Sequence, residues 1–154
     1  MVKLYIPKYE DLWFREMFLK DSDTMSYNNA WGGVVDFKKE DWEDWYDFWI
    51  RNEDRDHKYR YLVNENNIFV GEVAYHFDKG YQSHMADVII YSKYRKRGYG
   101  KEGLKLLLDL AKESNIKVMC DDIAKDNSAI EMFLKFGFSI EYEADQIIML
   151  KKEL

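Results

Sequence analysis

The stretch that decides the fold runs from Asp87 to Leu108 and reads DVIIYSKYRKRGYGKEGLKLLL. It begins with an apolar, β-branched run typical of a buried strand, passes through a basic turn with two glycines, and continues with leucines at helical spacing. A short strand is predicted directly after this helix, at residues 118–121. A strand, a helix and a strand in succession predict a parallel crossover within a mixed α/β sheet.

The turn indicates an anion-binding site. Backbone N–H groups at the start of a helix have no partner within the helix, and Gly98 and Gly100 carry no side chain that would keep a phosphate away. Residues 93–105 contain six basic residues and one acid, a local net charge of +5 in a chain whose net charge is −6. The alternative is a solvated basic turn. The segment matches neither a P-loop nor a dinucleotide fingerprint.

The remaining elements follow from hydrophobic periodicity and from turn residues. They give the order β-α-α-β-β-β-α-β-α-β-β in one domain that spans residues 1–154. The predicted strands are 2–6, 58–63, 68–76, 85–91, 118–121 and two within 138–150; the predicted helices are 8–20, 39–52, one within 94–114 that follows the basic turn, and 128–136; residues 28–33 are predicted to be a loop.

Composition excludes several classes of protein. A sequence pI of about 5.1 argues against general nucleic-acid binding, which needs a broad basic face. Cys120 is the only cysteine, so no internal disulfide can form, and we expect it to be an inert core thiol. The three histidines are not spaced like metal ligands. No apolar run spans a bilayer and no signal-peptide core begins the chain, which predicts a cytoplasmic protein.

Two segments resemble one family. The run Arg95-Lys96-Arg97-Gly98-Tyr99-Gly100 resembles the Arg/Gln-x-x-Gly-x-Gly/Ala signature of the GNAT superfamily of N-acetyltransferases, and DNSAIEMFLKFGF (126–138) resembles its second signature. The resemblance covers about residues 68–150. It implies a mixed, mostly antiparallel sheet of about seven strands with about four helices. It also implies acetyl transfer from acetyl-CoA to a primary amine by direct attack in a ternary complex, without a metal.

The resemblance also implies a set of cofactor-binding residues. The turn amides would hold the pyrophosphate of acetyl-CoA, the end of the preceding strand would pair with the pantetheine arm, and an N–H near Ile89 or Ile90 would polarise the thioester carbonyl. Asn127 would contact the cofactor, although it lies one place from the usual position and also fits a helix cap. The full set is Ile89, Ile90, Tyr91, Arg95, Lys96, Arg97, Gly98, Tyr99, Gly100, Lys101, Asn127 and Phe133.

Phe133 departs from the family pattern. Many members carry a tyrosine at this position that protonates the departing thiolate, and phenylalanine has no proton to donate. We therefore expect Phe133 to pack beside the thioester, and the general acid is left open. Two carboxylates are candidate general bases: Asp87, on the strand before the turn, and Glu72, on the strand before that. Each also fits an outward, solvated side chain.

The acceptor side is less determined. Residues 39–56 hold eight acids and three basic residues, together with Trp42, Trp45 and Trp49. These residues fit either a surface that attracts a cationic amine, small or peptidic, or a core aromatic stripe with a solvated acidic face. Relatives often pair through their last strands, so a homodimer is a further expectation. Two functions remain as alternatives: a non-catalytic module that binds acyl-CoA, and a domain for another phosphate ligand.

Overall fold

The predicted crossover is present in the computed structural model, which describes all 154 residues. Strand β4 (Ser83–Ile90) leads through the basic turn into helix α3 (Tyr99–Glu113), which returns to strand β5 (Val118–Ala124). β4 and β5 are neighbours and run parallel, as a crossover through a helix requires.

The other elements complete one seven-stranded sheet in the order β1-β2-β3-β4-β5-β7-β6. Every other neighbouring pair in the sheet is antiparallel. The predicted order of strands and helices is confirmed, with short 3-10 and π-helical turns added between them. The remaining strands are β1 (Val2–Tyr5), β2 (His57–Asn64), β3 (Phe69–Asp78), β6 (Ser139–Glu143) and β7 (Ile147–Glu153), and the remaining α-helices are α1 (Leu12–Lys20), α2 (Lys39–Tyr46) and α4 (Ala129–Lys135).

One predicted boundary is wrong. Most of the predicted loop at 28–33 belongs to a 3-10 helix, Thr24–Trp31, which buries only Thr24 and Met25 and so leaves little hydrophobic periodicity in the sequence. The helix predicted within 94–114 begins at Tyr99, after the basic turn. The chain cannot enter an α-helix earlier because Lys96 and Gly98 both have positive φ, 64° and 83°.

The sheet separates two hydrophobic layers. On one face, leucines of α3 pack against β3 and β4, as their helical spacing predicts. On the other face, α1 and α2 bury an aromatic layer against Tyr59 and Tyr61 of β2. Side chains of β3 and β4 alternate between these layers, so Glu72 and Asp87 share the α1 and α2 face with Ile89. No helix combines the length and the apolar character that crossing a bilayer requires.

Candidate active site

The crossover strands separate soon after they meet. Only two pairs, His84 with Met119 and Met85 with Cys120, join β4 to β5. Beyond these pairs the C-terminal halves of the two strands diverge, and a cavity of about 1270 Å³ opens between them. The basic turn, the start of α4 and the 3-10 helix Thr24–Trp31 complete its walls. An extended ligand therefore has a route along the free edge of β4 toward the turn.

The turn presents unpaired donors to this cavity. The backbone amides of the six residues 96–101 donate to no backbone acceptor. Gly98 adopts the left-handed conformation immediately before α3, and Lys96 is left-handed two residues earlier. Successive amides in such a turn form a concave anion site, and the dipole of the 15-residue helix α3 adds positive potential there. The predicted diphosphate cradle therefore has the required donors.

One amide of β4 faces the gap. Gly71 of β3 approaches Ile89 so closely that a Cβ on Gly71 would lie 2.3 Å from the Ile89 carbonyl oxygen, which places that carbonyl on the β3 side. No peptide bond in the chain is cis, and in a trans peptide the following N–H points the opposite way. The Ile90 amide therefore points toward β5, into the cavity. Of the two amides proposed from the sequence, Ile90 is the one with this orientation.

The turn is fastened to the 3-10 helix Thr24–Trp31. The Arg95 guanidinium donates to the carbonyls of Asp23 and Thr24, at 2.9 and 2.5 Å. Ser92 Oγ donates to Asp21 Oδ2 at 2.7 Å, and the Ser92 amide donates to Thr24 Oγ1 at 2.9 Å. Hydrogen bonds from the Thr24 hydroxyl and the Ser92 hydroxyl hold the pKa of Asp21 below its ordinary value. The segment that covers the acceptor side is thereby linked to the turn that receives the cofactor.

Most of the predicted cofactor residues line the cavity, but three have other roles. The Arg95 side chain is used in the contacts just described, and its amide donates to Ser92 O, so neither is free for phosphate. The Tyr91 amide donates to Val70 O of β3. Arg97 lies outside the cavity, with its guanidinium 5.8 Å from the centre of the Tyr94 ring. The predicted residues that line the cavity are Ile89, Ile90, Arg95, Lys96, Gly98, Tyr99, Gly100, Lys101, Asn127 and Phe133.

Helix α4 and the residues just before it contribute both residues predicted from the second signature. Asn127 Oδ1 accepts from the Ala129 amide at 2.8 Å, so this side chain supports the first turn of the helix while it lines the cavity. Phe133 is 2% exposed and packs against Phe138, with ring centres 5.0 Å apart. Its expected packing role is consistent with this position.

Both candidate bases face the cavity. Asp87 is half-buried, and burial, reinforced by the nearby Glu72 carboxylate, raises its pKa from 3.8 to about 7. Glu72 is 1% exposed, and burial also raises its pKa, although Arg15 opposes the rise. Arg15 Nε lies 3.9 Å from Glu72 Oε2. Asp87 is therefore the carboxylate whose ionisation falls near neutral pH, which is where a general base works best.

Arg15 was not foreseen from the sequence. It lies on α1 between aromatic rings, 4.7 Å from the centre of Phe37 and 4.6 Å from that of Trp45, which stabilise a buried guanidinium. Its Nε, Glu72 Oε1 and the Tyr59 hydroxyl are all buried without a hydrogen-bond partner. The helical spacing of apolar residues on α1 does not predict that Arg15 is buried. In a sequence, one arginine beside apolar helix positions looks like a surface residue.

The sequence also gave no reason to select the carboxylates of β5. Asp121 and Asp122 both line the cavity, and burial raises the pKa of each, most strongly for Asp121. Tyr27 stands near Asp87 and Glu72, and burial together with these carboxylates raises its pKa, so its hydroxyl keeps its proton. For the carboxylates of β5, the sign available in the sequence was that two adjacent acids stand within a short strand.

The acidic face of residues 39–56 lies elsewhere. Trp49 is the one residue of this segment that lines the cavity, and none of the eight acids does. Trp42 is buried, whereas the acids of α2 are exposed. Glu53 is paired with Arg60 and with Lys58. The interpretation as a core aromatic stripe with a solvated acidic face is therefore the correct one, and the acidic groups near the cavity come from the strands.

These features coincide with a known family model, which matches residues 7–138 and is described as the Acetyltransferase (GNAT) family. The chain belongs to the GNAT acetyltransferase family. Acetyl-CoA is therefore the co-substrate, and the free turn amides and the gap beside β4 fit it. No group of His, Cys, Asp and Glu side chains has an arrangement that could hold a metal ion.

Solved structures of GNAT acetyltransferases share the fold at low identity. A spermidine N-acetyltransferase from Vibrio cholerae, in complex with CoA and spermine, has a TM-score of 0.81 at 15% identity over 99% of this chain and 95% of its own. A GNAT acetyltransferase from Streptococcus pneumoniae has a TM-score of 0.78 at 16% identity over the whole of both chains. A Salmonella typhimurium protein with its cofactor acetyl-CoA has a TM-score of 0.76 at 16% identity, over 99% and 94%. No curated protein sequence matches the chain.

Proposed function

We propose that this acetyltransferase transfers the acetyl group of acetyl-CoA to the nitrogen of a primary amine, by direct attack within a ternary complex. The observation that carries the proposal is the coincidence of a diphosphate cradle, a free β4 amide and a carboxylate of pKa about 7 within one cavity. The neighbour from Vibrio cholerae, with CoA and spermine bound, supports an amine acceptor. Cytoplasmic localisation stays a prediction.

Each part has a defined role in the proposed reaction. The amides of residues 96–101 bind the diphosphate, and the Ile90 amide donates a hydrogen bond to the thioester carbonyl as it gains negative charge. Asp87 accepts a proton from the ammonium, directly or through water, and so produces the neutral nucleophile. The nitrogen then forms a bond to the carbonyl carbon, loses its second proton to solvent, and the carbon–sulfur bond breaks. The CoA thiolate leaves with its electron pair and is protonated by solvent.

No tyrosine is required for this last step. A thiolate is a reasonable leaving group, because the pKa of a free thiol is only about 8.5. Phe133 then acts by excluding water from one side of the thioester, consistent with its burial. The alternative of a non-catalytic acyl-CoA module rests on Phe133 alone, whereas the carboxylates beside the β4 gap favour catalysis.

Gly100 provides the sharpest test of the cofactor site. A Cβ at this position would meet only Ile90 Cγ1 at 3.6 Å and Met132 Sδ at 3.8 Å, both ordinary contacts, so the fold tolerates a side chain. We expect Gly100→Glu to have the same unfolding temperature as the wild-type protein. It should nevertheless lose acetyl-CoA binding, measured by titration calorimetry, because a carboxylate then occupies the anion site. Wild-type affinity in this variant would refute the proposed cradle.

Turnover is tested separately by thiol release from acetyl-CoA across a panel of primary amines. We expect release with at least one amine and its loss in Asp87→Asn with acetyl-CoA affinity retained. Acetyl-CoA binding without release for any amine would support the non-catalytic module instead. Tighter binding of ATP than of CoA would support the third alternative, a site for another phosphate ligand.

A further inference from the structure

The part of the cavity where the acceptor would bind, called here the acceptor half, is rich in carboxyl groups. Where β3, β4 and β5 form its wall, five carboxyl groups face one arginine, Arg15; the five are Glu72, Asp78, Asp87, Asp121 and Asp122. Arg15 lies within ion-pair distance of Glu72 only, and no cationic side chain lies within ion-pair distance of the three acids on β4 and β5. Catalysis by one general base does not account for this excess of negative charge.

The same cavity contains unpaired buried acceptors. Glu72 Oε1 and the Tyr59 hydroxyl both line the cavity and have no hydrogen-bond partner. Buried polar groups are normally satisfied, and the Glu72 oxygen needs a hydrogen-bond donor that Arg15 Nε, 3.9 Å from Glu72 Oε2, does not supply. An ammonium group has three N–H donors and no acceptor, which is what a carboxylate and a hydroxyl oxygen require.

The strands set the spacing between the acids. Continuing the pairing of Met85 with Cys120 by two residues brings Asp122 level with Asp87, on the same face of the sheet. Neighbouring strands are separated by about 4.8 Å, and β4 and β5 diverge beyond this pair, so the two carboxylates are farther apart than that. Along the sheet, Glu72 stands level with Ile89, about 7 Å from the level of Asp87.

Resting on the proposed amine acetylation, we propose that the acceptor is a small linear di- or polyamine, whose reacting nitrogen lies at Asp87 while a second ammonium lies where β5 lines the cavity, with Asp122 on the face of Asp87 and Asp121 on the opposite face of the strand. Tyr81, whose hydroxyl donates to Asp122 Oδ2 at 3.2 Å, holds that carboxylate in place and leaves its other oxygen free. Any further ammonium meets Glu72 Oε1 and Tyr59. Tyr27, Tyr81 and Trp49 provide aromatic walls for the methylene segments and the cations.

The position of these acids favours a small acceptor over a protein. Asp121 and Asp122 are only partly exposed, and the 3-10 helix Thr24–Trp31 packs over β5 beside them. A thin, flexible amine carries all of its cations into such a space. A folded protein substrate can extend only a side chain into it, and that side chain carries a single cation. The distance between the two nitrogens also matters, because a two-carbon diamine holds its charges too close together to reach across the diverging strands.

The test compares matched amines. Thiol release is measured with 1,4-diaminobutane, with 1-aminobutane and with 1,2-diaminoethane, on the wild-type protein and on Asp121→Asn, Asp122→Asn and the surface control Asp145→Asn. We expect kcat/KM for the four-carbon diamine to exceed that of both other amines by about tenfold or more. The two strand variants should lower kcat/KM for the four-carbon diamine, through a higher KM, by a larger factor than they lower kcat/KM for 1-aminobutane, whereas Asp145→Asn should change neither.

Equal kcat/KM for the matched mono- and diamine, equal losses for both amines in the variants, or better turnover of a lysine-rich peptide than of any diamine would overturn the inference. A binding measurement without turnover tests the diamine site separately from the proposed acetyl transfer. Calorimetry of 1,4-diaminobutane against the CoA-loaded protein is expected to show binding that Asp121→Asn removes, even if no amine releases thiol. No heat of binding there would overturn the diamine site, whatever the outcome for acetyl transfer.

Discussion

Asp87 is predicted to make the protein less stable as the pH rises from about 4 toward neutrality. Its folded-state pKa of about 7 lies above the ordinary value of 3.8, because burial and the nearby Glu72 and Asp122 carboxylates disfavour the charged form more than Arg15 favours it. A group whose pKa is raised on folding binds its proton more tightly in the native state. The folded protein therefore loses stability from this group between about pH 4 and pH 7, and the loss is complete above that range.

The magnitude follows from the same values. Each pKa unit corresponds to about 1.4 kcal/mol, so ionising Asp87 costs the folded protein at most about 4 kcal/mol. Water reaching this half-buried group lowers the effective cost, and we expect about 2 kcal/mol. Asp87→Asn removes the cost at high pH only. For a domain of this size, that gain raises Tm by about 6 °C at pH 8 and by almost nothing at pH 4.

The assay is thermal or urea unfolding of wild type, Asp87→Asn and Asp36→Asn at several pH values from 4 to 8. Asp36 is an exposed aspartate whose replacement makes the same chemical change on the surface, and it should show no such dependence. The difference between pH 8 and pH 4 is the informative quantity, because any packing effect of the asparagine contributes equally at both. A stabilisation of the same size at both pH values would refute the reasoning about the buried carboxylate.

Three further outcomes are expected. In kinetics, the acid limb of the kcat/KM profile near pH 7 should disappear in Asp87→Asn; an unchanged limb would assign it to another group. Gly98→Ala and Gly32→Ala place Cβ in equally open space at positive φ, so both should lose about 1 kcal/mol of stability, but Gly98→Ala alone should weaken acetyl-CoA binding in calorimetry. Arg15→Met should destabilise the protein by about 3 kcal/mol in urea unfolding by leaving Glu72 unpaired, and adding Glu72→Gln should restore most of it.

The sequence by itself determined the local parts of the protein. The strand, turn and helix of residues 87–108, the diphosphate cradle, the buried leucines of α3 and the aromatic stripe of α2 follow from periodicity and from glycine at fixed positions, all of which act over a few residues. It also offered Asp87 and Glu72 as candidate general bases, one on the strand that leads to the turn and one on the strand before that.

Only the tertiary structure decided which groups meet. The acidic acceptor half of the cavity joins β3, β4 and β5, and Arg15 enters it from α1, so no local spacing could associate these residues. The same holds for Arg95. Its charge suggests phosphate binding in the sequence, but in the structure its guanidinium donates to the carbonyls of residues 23 and 24. The pKa values of Asp87 and Asp121 likewise depend on burial and on neighbours distant in the chain, and the shape of the fold sets both.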